Sequence, residues 1–465
     1  MWKRSATELA AAIRSGEVSA LAVTQSVLAR IRSVNPVINA LAEVLEEQAL
    51  AAAVAADDAL AAGTPIGPLH GVPLTIKVNV DMAGHATTDG LRCMQDHCAT
   101  TDSPLVAHLR QAGAVIVGRS NTPAFSLRWF TDNDIHGRTL NPLNAGITPG
   151  GSSGGAAAAV ACGMAPIAHG NDYGGSIRYP AWACGVVGLR TSVGRVPSYK
   201  ASAQAERGIS NQLMSVQGPL TRTIADARLV MTVMAQGSAL DPGWVPAPLE
   251  YPDTQQPLRV ALFKRHAGYD ADPSVVRALE QAAHWLAQAG YLVEEAEPPH
   301  FEEGAELWRQ LVYDDLRRGG LSAIEALGDA AVRTNLRLTL EGRPQLDRDG
   351  YLDALARRLT ICRAWTVFFE RYPVLLMPNS WQRPFAVDSD RVSVERMNAV
   401  IAAQSPLLGT AMMGLPGLSV PTGMDGGLPT GVQLVATRFR EDLLLRTGGS
   451  IEAAAGFSVL DHLPA

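Results

Sequence analysis

Glycine is dense from residue 146 to 194, and this stretch constrains the fold more than any other part of the chain. It opens with Gly150-Gly151-Ser152-Ser153-Gly154-Gly155, continues into an alanine-rich run from 156 to 161, and returns to glycine at Gly174-Gly175-Ser176-Ile177-Arg178. A Gly-Ser loop that feeds an alanine-rich helix sets Ser152, Ser153 and several backbone N–H groups at a helix N-terminus. Lysine, by contrast, is scarce: Lys3, Lys77, Lys200 and Lys264 are the only four among 39 basic residues. Lys77 lies in the apolar run Leu74-Thr75-Ile76-Lys77-Val78. A lysine desolvated by apolar neighbours can lose its proton, which arginine in a protein cannot do. Lys77, Ser152 and Ser176 are therefore the first candidates for chemistry, with Lys77 as proton acceptor.

The 465 residues, 47% hydrophobic and 18% charged, suffice for one large core or two or three smaller ones. A net charge of -6 without any lysine cluster argues against a nucleic-acid or anionic-membrane surface, which needs a concentrated basic patch. The alanine-rich stretches 49 to 63 and 155 to 169 are interrupted short of the roughly 18 apolar residues a membrane span requires. Five cysteines, odd in number and irregularly spaced, imply no disulfide framework and fit a reducing cytoplasm. Ser5-Ala6-Thr7-Glu8 reads as a helix capping box rather than a secretory signal.

Along the chain, capping residues and breakers predict helices over 6 to 15, 19 to 33 and roughly 40 to 62, a helical N-terminal layer across residues 1 to 66. Beyond Pro68, short apolar runs alternate with helical periodicity. This pattern predicts an α/β fold with a sheet covered on both faces. Strand signals lie at Val72 to Val80, Ala114 to Val117, Val374 to Met377, Leu418 to Pro421 and Gly431 to Val435. Between them, after the proline-rich stretch 245 to 256, a charged helical pattern fills about 272 to 371. Residues 245 to 371 thus read as a helical insertion within one discontinuous domain spanning 1 to 465. The amphipathic N-terminal helices offer faces for pairing two copies of the chain in a homodimer.

The Gly-Ser loop admits several readings. A phosphate loop would end in Gly-Lys-Ser or Gly-Lys-Thr, and here alanine follows the glycines. The glycine spacing also fails the dinucleotide-binding fingerprint. Gly150-Gly151-Ser152-Ser153-Gly154 does match the G-x-S-x-G elbow, which would make Ser152 the nucleophile. His97, between Cys93 and Cys98, has no further matching pair of metal ligands. His169 reads as a satisfied core residue.

Taken together, Gly71-Val72-Pro73 before Lys77, Asn121-Thr122, Asn141-Pro142, Thr148 to Gly155, Asp172 to Pro180 and Gly185 to Leu189 give a more specific match. With Gly218-Pro219, Arg222 to Asp226, Gly414-Leu415-Pro416 and Gly431-Val432-Gln433, the chain resembles the amidase signature family over about 1 to 240 and 372 to 455. The resemblance implies a large mixed β-sheet with helices on both faces and a Ser, cis-Ser, Lys triad. By position, Ser176 is the implied nucleophile, Ser152 the relay behind a cis peptide bond, and Lys77 the base. Backbone N–H groups of Tyr173, Gly174 and Gly175, with Ser176 alongside, form the implied oxyanion hole. Asp172, Arg178 and Ser153 hold the turns. No metal or cofactor is implied.

The likeness has departures. Asn171 and Tyr173 replace smaller residues beside Asp172, and Val78 follows the lysine where aspartate is common. Arg128-Trp129-Phe130 stand where small residues are expected, and with Trp381 they are the candidate substrate wall. The expected activity is hydrolysis of small or medium amides, aryl ones among them, or carbamates and urea-like compounds, through an acyl-enzyme. The alternative is the amidase subunit of a glutamine-dependent tRNA amidotransferase.

Overall fold

The computed structural model describes residues 1–203, 205–252 and 257–464. Among the described residues, eleven strands form one mixed sheet. In chain order they are β1 (Leu41–Val44), β2 (Pro73–Lys77), β3 (Val115–Ser120), β4 (Ile167–Asp172), β5 (Val187–Arg190) and β6 (Val216–Thr221). The remainder are β7 (Arg259–Leu262), β8 (Leu292–Glu295), β9 (Val374–Met377), β10 (Gly417–Asp425) and β11 (Leu428–Ala436). Across the sheet the order is β1-β3-β2-β4-β6-β5-β10-β11-β9-β7-β8. β3, β2 and β4 run parallel to one another, as do β9, β7 and β8, and every other adjacent pair is antiparallel.

Both faces of the sheet are buried, and the alternation of strand side chains shows how. In β9, Val374 and Leu376 join one core, which includes Leu105, Val230, Leu279 and Leu444 from helices on that face. Leu375 and Met377 point oppositely, into an aromatic core with Phe301, Trp308, Trp365 and Trp381. Toward the other end of the sheet, Val115 and Val117 of β3 meet a third core. That core is built from the N-terminal helices and the helix Gly154–Ala161, all eight of whose residues are buried. Alanine and glycine let this short helix lie directly against the sheet.

Two sequence expectations need correction. The N-terminal layer is not wholly helical: its second helix, Ala20–Ile38, runs through Pro36, and residues 41–44 pair with β3 as an edge strand. Pro36 falls in the last turn, where its missing N–H removes one intrahelical bond just before the helix ends. Asn39 closes the helix in the left-handed conformation with φ 54°. The Asn35 side chain then both accepts from and donates to the Leu41 backbone, turning the chain into the strand. The 245–371 block likewise carries β7 and β8, which extend the sheet beside β9. Leu9, Ile13, Val23 and Leu28 of the N-terminal helices pack into the third core. The predicted capping box is formed, with Ser5 accepting from Glu8 N–H and Glu8 accepting from Ser5 N–H.

Candidate active site

Lys77 is the last residue of β2, and Asp172 the last of β4, its parallel neighbour. The C-terminal ends of these strands therefore deliver Lys77 and the Asn171-to-Arg178 loop to one place, where open α/β sheets commonly hold their ligands. The Gly150-to-Ser153 loop arrives from the N-terminus of the Gly154–Ala161 helix. Gly151 must be glycine, because a Cβ there would lie 2.4 Å from Arg128 O and 2.5 Å from Phe130 N. The Gly151–Ser152 peptide bond is cis.

Lys77 Nζ is fully buried and makes three contacts: Ser152 Oγ at 2.7 Å, Asn171 Oδ1 at 2.7 Å and Ser153 Oγ at 3.2 Å. Burial lowers its pKa from 10.5 to about 7, against the opposing pull of Asp89 and Asp172. A neutral amine has two N–H donors and one lone pair. Asn171 Oδ1 can only accept, because its amide nitrogen donates to Asn79 Oδ1 at 3.0 Å. A lone pair on Nζ is thus available to the Ser152 hydroxyl. The chain of contacts continues from Asn79 Nδ2 to Ser126 Oγ at 3.0 Å, and from Ser126 to Asp89 Oδ1 at 2.6 Å.

Ser176 is half-buried and lines, with Ser152, Asn171 and Tyr173, a cavity of about 930 Å³. This volume suits a drug-sized ligand. Phe125, Leu127 and Val312 give it an apolar side, while Asp89, Lys200 and Arg207 add charge. Ser153 fastens the two loops together, its N–H donating to Ser176 O at 3.2 Å and its hydroxyl meeting the Asn171 backbone at 3.3 Å.

Beneath the Ser176 loop, Asp172 is buried between Arg178 and Arg190. It receives Arg178 Nε and Nη2 and Arg190 Nη1, each at 3.0 Å. Burial alone would raise its pKa, but the two guanidiniums hold the carboxyl far below the ordinary range. Arg178 also donates to Thr410 Oγ1 and Gln433 Oε1, both at 2.6 Å, binding the loop to β11. Asp172 accepts from Gly175 N–H at 2.8 Å. That donor of the expected oxyanion hole is therefore committed to the turn, which leaves Tyr173, Gly174 and Ser176 from the set.

The expected substrate wall is placed elsewhere. Arg128, Phe130 and Trp381 are buried and absent from the cavity lining. Arg128 is paired with Asp390 at 2.7 Å and with Asp132. Phe130 stacks on Phe385, and Trp381 donates to Ser405 Oγ at 2.9 Å in the aromatic core. A buried cation and large rings here satisfy the core rather than a ligand. Trp129 is half-buried and reaches the Ser176 loop itself, donating from Nε1 to Gly174 O at 3.0 Å. His169 is a core residue: burial lowers its pKa to about 3, and its ring contacts Lys77 N–H and Gln217 Oε1.

Sequence reasoning missed Arg190, Asn79, Asp89 and Trp308 as neighbours of the site. Asn171 was visible as a departure from the family pattern, without its role as the lysine's acceptor.

A family model described as Amidase matches residues 22–445. The chain is 42% identical to an indoleacetamide hydrolase of Bradyrhizobium diazoefficiens, over 99% of this chain and 88% of that protein. It is 34% identical to a glutamyl-tRNA(Gln) amidotransferase subunit of Acidothermus cellulolyticus, over 97% and 94% of the two chains. The solved structure of a bacterial aryl acylamidase of the amidase signature family superposes with a TM-score of 0.86 and 25% identity, covering 99% of this chain and 98% of that one.

Proposed function

The chain belongs to the amidase family and is an amide hydrolase, and on that premise we propose a Ser176, Ser152, Lys77 triad acting on primary amides of arylacetic acids. The observation that carries the triad is the 2.7 Å contact between a buried, easily deprotonated Lys77 and Ser152, beside the same cavity that Ser176 lines. The likeness to an indoleacetamide hydrolase and the apolar side of the cavity support the arylacetic acyl group.

In the first half-reaction, Lys77 Nζ takes the Ser152 proton while Ser152 Oγ takes the proton of Ser176. Ser176 Oγ attacks the amide carbonyl, and the tetrahedral oxyanion is held by backbone N–H groups of the Tyr173-to-Ser176 turn. Collapse breaks the C–N bond, and the stored proton returns through Ser152 to the leaving nitrogen, releasing ammonia. Water then attacks the Ser176 ester by the same relay, yielding the carboxylic acid and free serine. The relay requires Ser176 Oγ to come within hydrogen-bond reach of Ser152 Oγ in the substrate complex, a contact that catalytic groups often complete only on binding.

The reaction needs only the small amide and water, and five free cysteines fit a cytoplasmic setting. The deciding experiment is turnover by the purified chain alone of indole-3-acetamide, phenylacetamide, an anilide, an aryl carbamate and glutamine. Release of ammonia from the two arylacetamides is expected to dominate. Activity confined to glutamine and appearing only with companion proteins would instead favour the amidotransferase reading.

A further inference from the structure

The nucleophile loop is held from outside by the helix Phe301–Gly319. Trp308 of that helix donates from Nε1 to Tyr173 O at 2.8 Å. Its ring also lies against the loop: a Cβ on Gly174 would be 2.5 Å from Trp308 Cζ2. Seven residues on, and so on the same helix face, Asp315 accepts from Ser210 N–H at 2.7 Å and Ser210 Oγ at 2.6 Å. Ser210 Oγ is 2.5 Å from the Tyr173 hydroxyl. Since the one hydroxyl proton of Ser210 goes to Asp315, Tyr173 must be the donor in that pair. One helix thus grips Tyr173 twice, at its carbonyl and at its phenol.

Peptide planarity gives this grip a chemical consequence. The C=O of residue 173 and the N–H of residue 174 share a rigid plane and point in opposite directions. Fixing Tyr173 O toward Trp308 therefore aims Gly174 N–H away from it. The next peptide behaves likewise: Trp129 holds Gly174 O, and the opposed Gly175 N–H reaches Asp172. Gly174 N–H is left as an aimed donor between two anchored carbonyls.

We infer that Trp308, assisted by Tyr173 through Ser210 and Asp315, is a positioning residue that aims the Gly174 N–H at the oxyanion. This rests on the triad reading above. It also gives Tyr173 a function that the smaller family residue could not serve, because only the phenol reaches Ser210.

The test compares wild type, Trp308→Phe, Ser210→Ala and Ser176→Ala on an arylacetamide. It also measures inhibition by the matching arylalkyl boronic acid, which forms a tetrahedral adduct, and by the carboxylic acid product. Trp308→Phe keeps a ring and removes the donor. A kcat loss of roughly tenfold or more is expected, smaller than deletion of an oxyanion donor, with KM changed less than twofold. The boronic acid should weaken in proportion to kcat, while product inhibition stays unchanged. Ser210→Ala should act in the same direction more weakly. Should Trp308→Phe not fold, replacing Trp308 by benzothienylalanine, which keeps the shape and lacks the N–H, gives the same readout. A folded variant with wild-type kcat and boronic acid affinity, or one altered only in KM, overturns the inference. Turnover by Ser176→Ala overturns the triad itself, so the two failures are distinguishable.

Discussion

Lys77 Nζ and Asn171 Oδ1 lie 2.7 Å apart, a contact as short as the one Lys77 makes with Ser152. The asparagine therefore fixes the direction from which the amine meets Ser152. Replacing Asn171 by alanine removes that acceptor and lets Nζ rotate. A loss in kcat of roughly tenfold is expected, the worth of one buried hydrogen bond, with a smaller change in KM. Steady-state kinetics with an arylacetamide check this, and unchanged kcat would remove Asn171 from the account.

Because burial brings Lys77 down to about 7, kcat/KM should climb with pH and approach a plateau above that value. Below it the protonated amine has no lone pair for Ser152. The same shift links stability to pH. Between about 7 and 10.5 the unfolded lysine holds a proton that the native one has shed, so this group makes stability rise with pH across that window. Urea midpoints at pH 7 and pH 9 test the sign. Lys77→Met should lack this contribution, and an unaltered pH dependence in that variant would contradict the assignment.

Asp172→Asn should be costly to stability as well as activity. It leaves Arg178 and Arg190 buried without their shared anion, a class of change that typically costs about 3–5 kcal/mol. Ser176→Ala, at the half-buried cavity surface, should unfold at nearly the wild-type denaturant concentration. Equal midpoints for the two variants would show that Asp172 is not the anchor of the turn.

Much of this was legible in the sequence because it depends on local residue type. The capping box at Ser5, the strand Val374–Met377 and the alanine-rich helix behind Ser153 follow from spacing and composition. Lys77 stood out because arginine is used almost everywhere else. What escaped depends on partners distant in sequence. β1 and β8 are short edge strands whose pairing supplies what their patterns lack. Arg128 looked like a pocket residue until Asp390, 262 positions away, was seen to hold it in the core. Trp308 belongs to a charged helix with no motif, and only the folded chain brings its indole to Tyr173 O.

The central claim is that Ser176 becomes acylated through a relay ending on Lys77. Rapid quenching of the enzyme with an activated arylacetyl ester, followed by proteolysis and mass mapping, tests it most directly. The account predicts the arylacetyl group on Ser176 in wild type, none in Ser176→Ala, and strongly slowed acylation in Lys77→Arg, which keeps a charge but cannot supply a neutral base. An acyl group found on Ser152, or full-rate acylation in Lys77→Arg, would contradict it.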